Sequence, residues 1–271
     1  MIEPAVVHPA LATSDQSSLG RLAEPLRDIA RGGLAGLLTG ILVAGVGGRV
    51  VMRAAALLVP DAAGRFTENG NRIGDITVSG TLGVVLGVGL FFGLAGATVW
   101  VVVAPWLPGG VGRRAVLAIP VAVALTSVSL VQASNPDFRI LRHDVATVVM
   151  LLGLVAVAGL VISLVDSWLD RRLPAANASA SADGVYLALS LAGGGLLFPI
   201  VVASYVFGEG PLGMAIVATG LATLVFWVRR YQRETPRPPW LVVAGRGSLI
   251  AAMVLGSIAV LPDVAAALGA R

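Results

Sequence analysis

Seven separate apolar segments constrain the fold of this chain more than any other feature. A helix needs about 20 mostly apolar residues to cross the hydrocarbon layer of a membrane. Segments that meet this requirement cover residues 32–58, 80–104, 115–133, 145–165, 185–207, 212–228 and 241–261. The sequence therefore predicts an all-α, polytopic integral membrane protein with about seven transmembrane helices. Because the sixth segment is short and the seventh carries Arg246, a re-entrant pair is the alternative for these two.

The composition agrees with a membrane protein and excludes several kinds of chemistry. Only 13% of the residues are charged and the mean hydropathy is +0.89, whereas a soluble domain has about 25% charged residues. The chain has no lysine, no cysteine, and only two histidines, His8 and His143. These absences exclude a lysine Schiff base, thiol exchange and a haem held between two intramembrane histidines. We expect no cofactor, and the lack of metal-ligand spacing predicts no metal site.

The arginines predict how the helices are oriented. All 19 basic residues are arginine, and with the N-terminus inside, eleven lie on the inner side against five in the outer loops and at the C-terminus. This bias predicts a cytoplasmic N-terminus and an extracytoplasmic C-terminus. It also explains the high pI of 10.6, so we expect the lipid bilayer as partner and no nucleic acid. Arginine without lysine is typical of a GC-rich bacterial genome, which predicts the bacterial inner membrane.

The chain divides into three predicted regions. A cytoplasmic tail with a short amphipathic interfacial helix covers residues 1–31, and an outer C-terminal tail covers residues 262–271. Between them lies one membrane domain, residues 32–261, with a polar outer loop at 60–80 and a cytoplasmic linker at 166–184.

Two groups of charges lie on the predicted cytoplasmic side. Arg27 and Arg31 belong to the amphipathic helix and are expected to bind anionic headgroups. Asp166 and Asp170 lie one helical turn apart, directly before Arg171. We interpret this aspartate pair as the charged end of the fourth helix.

Small residues recur at every fourth position of the first apolar segment, namely Gly32, Gly36, Gly40, Ala44 and Gly48. Such a stripe allows the backbone of another helix to approach closely. In the second segment, Gly83 with Gly87 and Gly89 with Gly93 and Ala97 repeat this spacing on neighbouring faces. We expect the first two helices to pack against each other within the chain, and a homodimer through these faces is the alternative that we do not favour.

Arg49 and Arg53 are the most informative charges, because they lie near the outer end of the first apolar segment. One helical turn separates them, so they share a face. Six apolar residues follow, at 54–59, which indicates that the membrane or protein core continues beyond them. The pair is expected to face a polar cavity with an acidic partner or an anionic ligand, whereas snorkelling to outer phosphates is the alternative.

Further polar residues in two outer loops are expected to join this pair around one extracytoplasmic vestibule. The first loop, residues 60–80, contains Asn69-Gly70, which is typical of a tight hairpin turn. Candidate anion- or headgroup-binding residues are Arg49, Arg53, Arg72, Arg139 and Arg142. Candidate acid or base residues are Glu68, Asp75, Asp137 and His143.

Two functions follow from this cluster, and the sequence leaves both open. The first is a non-enzymatic protein, either a small permease or an accessory membrane subunit, that binds an anionic solute, a lipid headgroup or a partner. The second is a membrane enzyme that acts on a lipid-linked phosphate substrate at the outer leaflet. The first is favoured, and the apolar stretches of the second and sixth segments contain no charge that would serve an ion relay across the bilayer.

Overall fold

The structure of the protein is a computed structural model. It describes residues 18–59, 64–66, 77–130, 145–195, 210–232 and 237–267. Within these ranges the chain forms helices and no β-strand, so the all-α prediction is confirmed for them. Regular backbone hydrogen bonding within each helix satisfies the amide groups that a membrane interior cannot solvate.

The helices correspond in order to the seven predicted segments. We label them α1 to α7, counting helical stretches that continue into one another as one helix. The bounds are α1, Ser18–Thr39, Gly40–Gly47 and Gly48–Leu58; α2, Val78–Leu82, Gly83–Val88 and Gly89–Val103; α3, Val111–Leu130; α4, Val145–Arg172; α5, Ala180–Ser190 and Leu191–Gly195; α6, Pro211–Tyr231; α7, Pro239–Ala267.

Six of these helices are long and apolar enough to cross a membrane, namely α1 to α4, α6 and α7. The chain therefore has the architecture of a multi-pass membrane protein. The predicted fifth segment, 185–207, is described only as far as Gly195. A seventh crossing at α5 stays a prediction.

The first helix begins well before the apolar segment that predicted it. Helix α1 starts at Ser18 and reaches Leu58 without a break. The residues expected to form a separate interfacial helix are therefore continuous with the helix that covers the first apolar segment. Arg27 and Arg31 point into the bundle rather than only toward headgroups, because carboxylates on α4 bind them there.

Close packing of α1 against α2 confirms the expected glycine contact, with a change of register. A side chain at Gly36 would overlap Ala97, and one at Gly40 would overlap Gly89 and Gly93. The next contact is made by Gly45, whose Cβ would lie 2.9 Å from Val85 Cα. The sequence predicted Ala44 and Gly48 instead. The wide π turns of Gly40–Gly47 account for the shift, because each turn holds more residues than an α turn.

Two apolar clusters fill the bundle. Trp100 joins α1, α3 and α4 with Ala35, Ala118 and Ile162. Trp106 and Phe226 join the end of α2 to α3, α6 and α7, with Leu125 and Leu241 packed in the same cluster. Both tryptophans lie at the same end of the bundle as the beginnings of α1, α3 and α7, which places the charged residues of those helices close together.

Gly40→Ala tests the contact between α1 and α2. The added methyl group would overlap the backbone of Gly89 and Gly93, so we expect unfolding in detergent to become easier by about 1–3 kcal/mol. Gly48→Ala in the same helix is the matched control, because a Cβ there meets open space. Thermal unfolding of both variants measures the difference, and equal melting temperatures would contradict the packing.

Candidate functional site

Two carboxylates near the end of α4 form the centre of a charged network. Asp166 and Asp170 lie one turn apart and share a face of the helix. Arg31 of α1 reaches both, with Nε 2.8 Å from Asp166 Oδ1 and Nη1 2.6 Å from Asp170 Oδ1. A guanidinium group fits this task because its nitrogens are held in a planar fork.

Asp166 is the most deeply buried charge of the network. Its side chain is 2% exposed, and Arg114 of α3 lies on the side opposite Arg31, with Nη1 3.2 Å from Asp166 Oδ2. Arg114 also lies over the ring of Trp100, 5.2 Å from its centroid. Two cations thus pair with one buried carboxylate, and one of them also stacks on an aromatic ring, so α1, α3 and α4 meet at this point.

Arg27 fastens the end of α4 and the segment after it. Its Nη1 lies 2.8 Å from Asp170 Oδ1, and its Nε donates to the carbonyl oxygen of Pro174 at 2.8 Å. The same carbonyl accepts a hydrogen bond from the buried hydroxyl of Tyr186 on α5. Arg27 and Tyr186 therefore hold the connection between α4 and α5 against α1.

The network continues from α1 to the end of α6. Asp28 forms an ion pair with Arg31 at 3.0 Å and accepts a hydrogen bond from Arg230 Nη1 at 2.8 Å. Arg230 Nη2 also donates to Glu24 at 2.8 Å. The four arginines Arg27, Arg31, Arg114 and Arg230 are thus matched by the four carboxylates Glu24, Asp28, Asp166 and Asp170. We call these eight residues the paired network.

A second group of polar contacts joins the end of α2 to α6 and α7. The indole nitrogen of Trp106 donates to the Thr223 hydroxyl at 2.8 Å. Arg246, one of the arginines within an apolar segment, donates from Nε to the Trp106 carbonyl oxygen at 3.2 Å. Arg237 donates to the Pro105 carbonyl at 3.0 Å and lies over the Phe226 ring, 4.3 Å from its centroid.

Beside the paired network lies an open cleft of about 260 Å³ between the beginnings of α1 and α7 and the end of α6. Its polar lining consists of three arginines, Arg229, Arg230 and Arg237, and one carboxylate, Glu24. We call this the arginine cleft. Cations outnumber carboxylates in its lining, so its field favours an anion.

The Arg237 guanidinium confirms the positive character of this region. Burial lowers its pKa below the usual range, and the nearby charges of Arg230 and Arg246 lower it further. An arginine still keeps its proton at any physiological pH. Among the described residues, Arg237 has no carboxylate within ion-pair distance. An anion in the arginine cleft would therefore relieve the repulsion between these cations.

Among the residues that the structure describes, no three carboxylates or histidines are grouped to hold a metal ion. The polar groups of the arginine cleft are guanidinium donors with one exposed carboxylate, Glu24. Such a lining suits recognition of phosphate or carboxylate oxygens by charge-assisted hydrogen bonds.

The structure describes two of the nine site residues predicted from the sequence. Arg49 is half-buried and Arg53 is exposed, one turn apart on α1 as expected. Within the described part of the chain, no hydrogen-bond partner faces the buried Arg49 Nε. The other seven, Glu68, Arg72, Asp75, Asp137, Arg139, Arg142 and His143, lie outside the described residues. The extracytoplasmic vestibule and the hairpin at Asn69-Gly70 stay predictions.

The sequence predicts other roles for four residues of the paired network. It predicts that Arg27 and Arg31 bind lipid headgroups and that Asp166 and Asp170 form the charged end of a helix. One signal in the sequence did point to the pairing. Arg27 and Arg31 repeat the four-residue spacing of Asp166 and Asp170 with the opposite charge, and the predicted topology puts all four on one side of the membrane.

Comparison with known proteins finds no matching family model, no similar curated protein and no similar solved structure.

Asp166→Ala tests the paired network. Removing the carboxylate leaves Arg31 and Arg114 facing each other in a buried site, so we expect a loss of about 3–5 kcal/mol in the free energy of unfolding. Asp170→Ala is the comparison, because its side chain is 51% exposed and its partners Arg27 and Arg31 keep the Pro174 carbonyl and Asp28, so we expect a smaller loss. Denaturation in detergent, followed by tryptophan fluorescence, compares the two. If Asp170→Ala were as harmful as Asp166→Ala, the buried pairing would not be the main contribution.

Proposed function

We propose that this protein is a non-enzymatic, multi-pass membrane protein, an accessory subunit or small permease, that binds a phosphate-bearing anion in the arginine cleft. One observation carries the proposal. Arg230 and Glu24 pair with each other within the network, whereas Arg237, which lines the same cleft, has no carboxylate within ion-pair distance among the described residues.

The position of the cleft also favours an anionic ligand. Arg229 and Arg230 lie in the last turn of α6, and Arg237 lies just before α7. The cleft is therefore located where apolar helices meet the aqueous boundary. Basic pockets between transmembrane helices at this depth suit the headgroups of anionic lipids. The same guanidinium groups would also bind a soluble phosphate.

The arginine cleft is not the anion site that the sequence favours. The sequence favours the outer vestibule around Arg49 and Arg53, and that site stays a separate proposal. The unsatisfied Arg49 Nε supports it. A membrane enzyme at the outer leaflet stays the alternative, and its candidate acids and bases lie outside the described residues.

We also propose that the arginine cleft faces the cytoplasm of a bacterial cell, in its inner membrane. The arginines around the ends of α1, α3, α4 and α6 supply most of the inner-side charge on which the orientation depends. A cytoplasmic cleft would meet the negatively charged leaflet, which attracts basic segments.

Arg229→Ala combined with Arg237→Ala tests the arginine cleft. The probe is phosphatidylglycerol with two six-carbon chains, measured by native mass spectrometry of the purified full chain. Because each lost charged hydrogen bond costs about 1.5–3 kcal/mol, we expect affinity to fall at least about tenfold. Excess inorganic phosphate should compete with the probe.

Arg113→Ala is the matched control, because Arg113 is an exposed arginine at the same end of the bundle but does not line the cleft. We expect it to bind the probe within about twofold of the unmodified chain. An equal loss in Arg113→Ala would show only unspecific charge attraction, and equal binding of phosphatidylcholine with the same chains would show that the negative headgroup is not recognised. Either result would refute the proposal.

Single cysteines test the orientation, and the chain has no cysteine of its own to interfere. Arg65→Cys places a thiol between α1 and α2, and Ala178→Cys places one between α4 and α5, both at exposed positions. In intact cells we expect a membrane-impermeant maleimide to label Arg65→Cys only, with Ala178→Cys labelled after permeabilisation. The reverse pattern would invert the topology.

A further inference from the structure

A second cavity, of about 240 Å³, lies within the spanning helices between α2 and α6, with α3 and α7 behind it. Its lining is almost entirely apolar, and Leu221 and Leu224 at its edge are each 58% exposed on the outer surface of the bundle. In a membrane those leucines face lipid. We call this the apolar cavity.

Water is a poor occupant for the apolar cavity. Its two hydroxyl groups already have partners within the helices, since Thr98 donates to the Leu94 carbonyl at 3.1 Å and Thr219 to the Ala215 carbonyl at 2.8 Å. A buried water normally makes about three hydrogen bonds to otherwise unsatisfied groups. The cavity therefore suits a hydrocarbon chain.

The depth of the apolar cavity relates it to the arginine cleft. On α6 its residues run from Ile216 to Leu224, about 9 to 21 Å along the helix from Arg230. On α2 it ends at Val103, next to the Ala104 carbonyl that accepts a hydrogen bond from Arg114. The cavity thus lies around the middle of the membrane, and its α2 residues extend toward the end of the bundle that carries the arginine cleft.

Arg230 and its neighbour Trp227 connect the arginine cleft to the apolar cavity. It lines the arginine cleft, and its guanidinium lies 5.8 Å from the ring centroid of Trp227. Helical spacing places Trp227 on the side of α6 that carries Gly220 and Leu224. A headgroup at Arg230 would therefore have its glycerol beside Trp227 and a chain directed toward the apolar cavity.

We infer that the ligand of this protein is an anionic phospholipid, held by its phosphate in the arginine cleft and by part of one acyl chain in the apolar cavity. The inference rests on the proposed function, which it narrows from any phosphate-bearing anion to a lipid. A soluble anion would use the arginines alone.

Gly220→Leu blocks the apolar cavity without touching an arginine. Gly220 lines the cavity, and a Cβ at this position meets open space, so the leucine side chain would take the place of lipid. Gly153→Leu on α4 is the matched control, because it is an exposed helix glycine with equally open space and no part in the cavity. Val217→Phe fills the cavity from a second position if Gly220→Leu fails to fold.

Native mass spectrometry compares phosphatidylglycerol carrying two oleoyl chains with the six-carbon form. Because each buried methylene contributes about 0.8 kcal/mol, we expect the unmodified chain to favour the long lipid at least about tenfold. Gly220→Leu should reduce this preference to within about twofold and leave short-chain binding unchanged. Gly153→Leu should keep the full preference.

The inference is overturned if Gly220→Leu and Val217→Phe keep the long-chain preference, or if the unmodified chain binds both lipids equally. Failure of the proposed function looks different, because the double variant Arg229→Ala and Arg237→Ala would then bind the short-chain lipid as well as the unmodified chain does.

Discussion

The buried carboxylate of Asp166 is the interaction on which this end of the bundle depends. A charge with 2% exposure in a spanning helix is tolerated only if cations satisfy it from within the protein. Arg31 hydrogen-bonds to one of its oxygens and Arg114 pairs with the other by charge, from two other helices, and this requirement fixes how α1, α3 and α4 meet. Around that centre the remaining pairs extend outward to Arg27 and Arg230, and exposure increases with distance from Asp166 to Glu24.

The charges of the paired network neutralise one another, so the network stabilises the structure and is not itself the ligand site. Charges that satisfy each other hold helices together and leave little field for a ligand, whereas the neighbouring arginine cleft has a surplus of cations. Arg230 belongs to both, since it pairs with Glu24 and Asp28 and also lines the cleft. A bound phosphate would compete with those two carboxylates for the same guanidinium group.

The sequence was sufficient for the fold class and for the position of six spanning helices, because segment length and hydropathy depend only on neighbouring residues. It was insufficient wherever two distant segments meet. The contact of Gly45 instead of Ala44 results from π turns that hydropathy does not reveal. The ion pair between Arg31 and Asp166 links residues 135 positions apart. Arginines that flank an apolar segment fit the positive-inside rule whether or not a carboxylate pairs with them, so that rule does not reveal the ion pair. The arginine cleft forms only where the ends of three helices meet, and no local sequence pattern specifies that these ends meet.

The separation of Arg31 from its partners along the chain has a consequence for biogenesis. Asp166 and Asp170 are made more than a hundred residues after Arg31, which at about 5–20 residues per second is a delay of about 7–30 seconds. During that interval Arg27 and Arg31 have Asp28 of their own helix as a carboxylate partner and lack the two carboxylates of α4. The same arginines therefore bind α1 to the rest of the bundle only after α4 has been made.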